Sequence, residues 1–186
     1  MKPRNCAVVI GATAGTQDIE SGVFRDLAAT GRSRLALFAA RVTGAWAVVL
    51  PILAVTMAAT AVLSVALAGG GHAPDVGMVV ARTTGVLVAG ALSSAMAVGL
   101  SALVGSRGPV IGVLLAFFLA VQALLLNIGV LGAARQGIPA VAIDRIADVH
   151  ARGGVHVALA TAIIAVIAWG VAALGLGAWK TKTREI

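Results

Sequence analysis

Charged residues and cysteine are scarce in this chain. Only 11% of its 186 residues are charged, it contains one cysteine, and it contains no tyrosine. Soluble domains are typically about a quarter charged, so this composition excludes an ordinary soluble protein. The single cysteine, Cys6, excludes an internal disulfide and a metal site built on a cysteine pair.

Apolar residues make up 60% of the chain, and its mean hydropathy is +1.02. Four apolar segments contain no Asp, Glu, Lys or Arg, and the titratable His156 lies near one end of the last of them. Each segment reaches the ~20 residues that a helix needs to cross a bilayer. We therefore predict an all-α, polytopic integral membrane protein whose four transmembrane helices cover residues 44–68, 84–104, 109–131 and 155–177. Pro51 lies inside the first predicted span, and Pro109 lies in the tolerated first turn of the third.

The basic residues are distributed unevenly between the two sides of these spans. The N-terminal region, the turn at Arg107 and the C-terminal tail hold 10 of the 14 Lys and Arg residues, and the other two connections hold 4. Lys and Arg accumulate in cytoplasmic loops, so we expect a protein of the bacterial cytoplasmic (inner) membrane with both termini cytoplasmic. Trp46 and Trp179 would then lie near the inner interface. The net charge of +7 is explained in this way without nucleic acid, for which no binding motif is present.

Residues 1–16 contain a glycine pattern, VVIGATAGTQD, that resembles a nucleotide-binding loop only superficially. A P-loop needs a lysine after its last glycine, and Thr16 and Gln17 stand where the final glycine and lysine would be. A dinucleotide fingerprint also fails, because no strand–helix–strand unit follows. We interpret Gly11 and Gly15 as positions of close helix packing or as a flexible helix end, and we expect no ATP site, no cofactor and no enzymatic activity in this chain.

The predicted outer connector, residues 132–154, holds acidic residues and a histidine that could be read as a metal site. Asp144 and Asp148 are spaced to share a helical face, and His150 and His156 follow. No recognised ligand spacing is present, so solvated charges on an amphipathic connector are the favoured interpretation and no metal is expected.

Polar residues inside the predicted spans are few. Gln122 and Asn127 lie in the third span, where hydrogen bonding to neighbouring helices is the usual role and lining of a translocation path is the alternative. No Asp, Glu or Lys lies inside a predicted span, which argues against an ion-coupled transporter. On the second span, small residues recur at helical spacing and predict close helix contacts: Gly90, Ala91, Ser94, Ala95 and Gly99.

Residues 17–41 form the most charged segment of the chain. Gln17–Leu27 is predicted to form an N-terminal cytoplasmic amphipathic helix, since Ile19, Val23 and Leu27 share one side. Gly31 would end this helix, and Ser33 would cap the next one. Acidic and basic residues are mixed on its polar face, which favours contact with another protein over a purely interfacial anchor.

This segment resembles the cytoplasmic segment of type-2 ABC transporter (ABC-2 type) permeases. The resemblance rests on the string E20-x-G22-x-x-R25-x-L27-x-x-T30-x-x-S33-R34-x-x-L37-x-x-x-R41, with Gly31 where the family commonly has proline. The turn VGSRGPVIGV, the outer segment IPAVAIDRIA and the ending Trp179 to Ile186 are also similar to the family, in the same order.

The resemblance implies the permease subunit of an ATP-binding-cassette exporter, which works with a separate ABC ATPase subunit and a second permease chain. ATP would be bound by the partner, and cargoes of the family include drugs, lipids, polysaccharides and peptides. Gln17–Leu27 would be the coupling helix, and residues 132–154 would match the short helices that close the outer mouth. The resemblance assigns the contact with the ATPase to Glu20, Gly22, Arg25, Arg32 and Arg34.

Permeases of this family usually have six spans, and four complete ones are predicted here. Residues 1–16 are expected to be the remnant of the second span. A start codon assigned too late, a truncated gene or a second chain that supplies the missing helices would each explain the difference. The alternatives to transport are a small membrane scaffold or assembly protein, or an inactive truncated permease.

Overall fold

The computed structural model describes residues 3–20, 33–68, 75–147 and 156–183, which are helical apart from short turns and include no strand. The all-α prediction is confirmed. The helices are α1 (Pro3–Glu20), α2 (Arg34–Ala66), α3 (Val76–Val104), α4 (Arg107–Ala116), α5 (Gln122–Asn127), α6 (Pro139–Ile146) and α7 (Leu159–Thr183). A π-helical turn, Phe117–Val121, joins α4 to α5, and a 3₁₀ segment, Gly129–Gly137, precedes α6.

Four of the described helical runs are long and apolar enough to cross a membrane, judged by length and composition: α2, α3, the continuous run Arg107–Asn127 and α7. The number agrees with the prediction, and the ends differ. α2 and α3 begin earlier than residues 44 and 84, the third run stops before residue 131, and α7 lies a few residues later than 155–177. Hydropathy locates the apolar part of a helix, whereas its backbone hydrogen bonds continue through flanking polar residues until a cap ends them.

Local capping chemistry sets these ends. Ser33 Oγ accepts a hydrogen bond from the Ala36 amide at 3.2 Å, which confirms the predicted cap of α2. An Asp75 carboxylate oxygen accepts from the Met78 amide at 3.3 Å at the start of α3. Gly105 ends α3 in the left-handed conformation, with φ 80°, and its amide donates to the Ser101 carbonyl oxygen at 2.8 Å. Each cap satisfies backbone groups that the helix itself leaves open.

The central element of the fold is α3. In its most apolar stretch 67% of the residues are buried, compared with 11% in α2 and 6% in α7. α1, α2, α4, α6 and α7 all contact it. Small residues make this possible, because their short side chains let several helices approach one axis. The close helix contacts that were predicted from the small residues of the second span are therefore present in α3.

Long apolar side chains cover the outward faces of α2 and α7. Val55, Val62, Ile164 and Val171 are each about two thirds exposed. A soluble protein seldom exposes a continuous apolar surface of this kind. In a bilayer, hydrocarbon would surround these faces, which suits a multi-pass membrane protein.

Candidate functional site

The predicted ATPase-contact residues fall at the ends of two helices and in the stretch between them. Glu20 is the last residue of α1, and Arg34 is the first residue of α2. Gly22, Arg25 and Arg32 lie outside the described residues. The predicted amphipathic helix was expected to begin at Gln17, but Gln17–Glu20 forms the last turn of α1, which runs without a break from Pro3.

α1 packs closely against α3 through its two glycines. A Cβ on Gly11 would lie 2.8 Å from the Ser94 carbonyl oxygen, and a Cβ on Gly15 would lie 2.7 Å from the Ser101 Cβ. The Ser101 hydroxyl donates to the Ala12 carbonyl oxygen at 3.4 Å across the same contact. These contacts confirm the packing interpretation of the two glycines.

Arg41 is a buried charge that sequence reasoning placed only among the cytoplasmic basic residues. It lies on α2 and is 6% exposed, on the same packed face as Phe38, Val42 and Ala45. The signal in the sequence is its spacing, since residues 38, 41, 42 and 45 share one side of a helix. A buried guanidinium is tolerated only where the surrounding groups stabilise it. Arg41 is therefore part of the packing near the N-terminal end of α2.

Gln122 and Asn127, the candidate path residues, lie in different environments. Gln122 is 2% exposed, and neither its amide nitrogen nor its amide oxygen has a hydrogen-bond partner among the described residues. Asn127 is exposed, and its amide nitrogen donates to the Ala123 carbonyl oxygen at 2.8 Å within its own helix. The expected hydrogen bond from Gln122 to a neighbouring helix is therefore not found in the described part of the chain. Lining of a path by either residue stays a prediction.

A π-helical turn directly precedes Gln122. The buried positions before it on the third run are Val110, Leu114 and Phe118. Gln122 continues that series, so its amide points to the packed side of the run. A π turn locally widens the helix and recurs at functional positions, and no propensity in the sequence FFLAV indicates it.

The connector after α5 folds back into the molecule. α6 is buried from Pro139 to Asp144 and contacts both α3 and α7. A Cβ added to Gly85 of α3 would collide with Ala147 at the end of α6. The part of the connector that forms α6 is thus a packed helix. Closure of an outer mouth by residues 132–154 stays a prediction.

Asp144 differs from the expectation of a solvated charge. It is 8% exposed, whereas the next residue, Arg145, is exposed and donates through Nε to the Val157 carbonyl oxygen at 3.0 Å. No cluster of three metal-ligating side chains occurs among the described residues. His156 is exposed, and Asp148 and His150 lie outside the described part of the chain.

An apolar cleft of about 260 Å³ lies between the third run, the connector and α7. Phe117 and Trp169 line it, and their ring centroids are 5.7 Å apart. The Trp169 indole N–H donates to the Gly137 carbonyl oxygen at 2.9 Å, which ties α7 to the connector. Sequence reasoning did not find this cleft, because the residues that form it are far apart in the chain.

Comparisons of the chain with protein-family models, with curated proteins and with solved structures give no match.

Proposed function

We propose that this chain is the membrane-spanning permease subunit of an ATP-binding-cassette exporter. A separate ABC ATPase subunit would bind and hydrolyse ATP, and a second permease chain would complete the translocation pathway. The sequence pattern of residues 20–41 supports this proposal through its resemblance to type-2 ABC permeases.

The observation that carries the proposal is the continuity of α1 through Glu20. The helix that ends in the proposed contact segment is also the helix that packs on α3 through Gly11 and Gly15. Packed helices transmit displacement because their interiors are dense and hardly compressible. A push on the proposed coupling segment by the ATPase would therefore move the central helix.

The buried helix α6 supports the same proposal. It packs beside α3 and α7, and it meets α3 at Gly85, near the start of that helix. α1 runs away from this contact, because Gly11 lies at Ser94 and Gly15 lies farther along α3 at Ser101. A short helix in that place would separate the pathway from the outer side, and displacement of α3 would move it through the contact of Gly85 with Ala147. The proposal thus assigns one end of the bundle to energy input and the other to an outer closure.

Charge reversal in the proposed contact segment tests the assignment. We expect Glu20→Lys and Arg25→Glu to remain in the membrane but to lower the amount of ATPase that co-purifies with the chain about tenfold, since lost charge pairs at an interface weaken binding by at least about 1.4 kcal/mol. The measurement is the molar ratio of ATPase to chain, determined by quantitative mass spectrometry after solubilisation in a mild detergent.

The matched control is Arg82→Glu, an exposed charge on α3 at the predicted outer side. This variant should retain the wild-type ratio. Equal ATPase content in the wild-type chain and both contact variants would remove the coupling assignment.

A further inference from the structure

We infer that the cleft between the third run, the connector and α7 binds one acyl chain of a membrane phospholipid whose headgroup lies at Arg135. This inference is independent of the proposed exporter function, because a lipid site of this kind requires neither an ATPase nor transport.

The position of the cleft fits a single acyl chain. Phe117 and Leu125 line it from the third run, and Trp169 lines it from near the middle of α7. In a bilayer each leaflet contributes about half of the ~30 Å hydrocarbon thickness, so acyl chains of one leaflet would run beside these residues.

The chemistry of the lining favours an apolar occupant over water. The side chains that face the cleft are apolar, and the Gly137 carbonyl oxygen already accepts the Trp169 indole N–H. Water stays in a cavity only where it finds two or more polar partners, and apolar cavities of about 150 Å³ remain dry and bind benzene. At about 260 Å³ the cleft is larger than that and can hold a longer hydrocarbon.

Arg135 supplies a positive charge beside the cleft. It follows the lining residue Ala134 in the chain, and its guanidinium bonds the carbonyl oxygen of Leu126, the neighbour of the lining residue Leu125. Its guanidinium donates to the carbonyl oxygens of Leu126, at 3.2 Å, and Gly132, at 3.4 Å. These acceptors are neutral, and arginine binds phosphate oxygens through its remaining N–H groups. An apolar cleft with a cation beside it matches an amphiphile with an anionic headgroup.

Quenching of Trp169 fluorescence by brominated lipid tests the site without altering the cleft. The variant Trp46→Phe, Trp179→Phe keeps Trp169 as the only tryptophan and is reconstituted in phosphatidylcholine vesicles. Phosphatidylglycerol with dibrominated acyl chains is then added in increasing proportion. We expect quenching to saturate at a few mole per cent, as it does when one specific site fills.

The control variant, Trp46→Phe with Trp169→Phe, reports from Trp179, which is 62% exposed. Its quenching should rise in proportion to the brominated fraction of the bilayer. If Trp169 shows the same proportional rise, ordinary contact with surrounding lipid accounts for the signal and the site is disproved.

Filling the cleft provides the second test. A Cβ on Gly137 meets no atom within 4 Å, so Gly137→Leu introduces a side chain into open space. Gly175→Leu on α7 is the matched control, because it is equally open and does not line the cleft. We expect Gly137→Leu to abolish the saturable quenching and Gly175→Leu to preserve it. Saturable quenching that persists in Gly137→Leu would contradict the inference.

Replacement of Arg135 tests whether this residue binds the lipid headgroup. We expect the wild-type site to prefer brominated phosphatidylglycerol over brominated phosphatidylcholine about tenfold, and Arg135→Gln to remove that preference, since the charge-assisted contact to phosphate is lost. Equal binding of the two lipids by the wild-type protein would overturn the role of Arg135.

Discussion

At the residue scale, the buried polar side chains are the features that local sequence patterns predict least well. The Ser33 cap was predicted from the sequence, and close packing was one of the two interpretations of Gly11 and Gly15, because capping and close approach depend on the residue itself and its near neighbours. The burial of Asp144 was not predicted, since it depends on α3 and α7, which are distant in the chain. The burial of Arg41 was not predicted either, because its charge indicated the surface, although its spacing from Phe38, Val42 and Ala45 fits a packed helical face.

Replacement of Gln122 by leucine should stabilise the protein. The buried amide makes no hydrogen bond to a described residue, and a buried amide without a partner costs about 1–3 kcal/mol. We expect Gln122→Leu to raise the midpoint of thermal unfolding in detergent by about 2–12 °C, at about 2–4 °C per kcal/mol for a chain of this size.

Asn127→Leu provides the comparison, because Asn127 is exposed and bonded within its own helix. It should leave the midpoint within about 1 °C of the wild-type value, as surface substitutions usually do. A Gln122→Leu variant that unfolds at a clearly lower temperature would contradict this account. It would show that the Gln122 amide makes hydrogen bonds and that these bonds stabilise the third run.

At the element scale, the packing of α3 against α7 shows what periodicity could and could not predict. Gly99 belonged to the predicted small-residue face, and a Cβ there would collide with the Ala173 carbonyl oxygen. The partner helix could not be identified from α3 alone, because one small-residue face suits any apolar helix. The π turn Phe117–Val121 was missed because no propensity in its sequence indicates it. The apolar cleft beside it was missed because its lining comes from separate elements.

Leucine at Gly99 should separate these two helices. A Cβ on the facing Gly177 would lie 2.8 Å from the Gly99 Cα, so neither helix leaves room for a side chain. Overpacking costs about 1–3 kcal/mol, and we expect Gly99→Leu to lower the unfolding midpoint in detergent by about 2–12 °C.

Gly112→Leu is the matched control for the contact between α3 and α7. It also lies inside a candidate span, and a Cβ there meets no atom within 4 Å. Its unfolding midpoint should stay at or slightly above the wild-type value, since leucine favours a helix more than glycine does. Equal destabilisation by the two substitutions would contradict the close contact between α3 and α7.

At the scale of the whole molecule, the described helices form a bundle around α3 with apolar outer faces, and the short helix α6 between α5 and α7 is buried. A segment rich in charged residues separates α1 from α2 in the sequence. The distribution of Lys and Arg predicts that the charged segment faces the cytoplasm. The composition predicted this class of protein and its four long helices. The proposed energy source, ATP hydrolysis by a partner subunit, rests on the resemblance of residues 20–41 and not on the fold.

The most direct test of the exporter proposal is the identity and amount of protein that co-purifies with the wild-type chain. The chain is tagged at its native locus, solubilised in a mild detergent, and its partners are quantified by mass spectrometry. We predict a P-loop ATPase carrying G-x-x-x-x-G-K-[ST] in near-equal molar amount. Recovery of the chain without such an ATPase would contradict the proposal and leave a membrane protein that does not use ATP-driven transport.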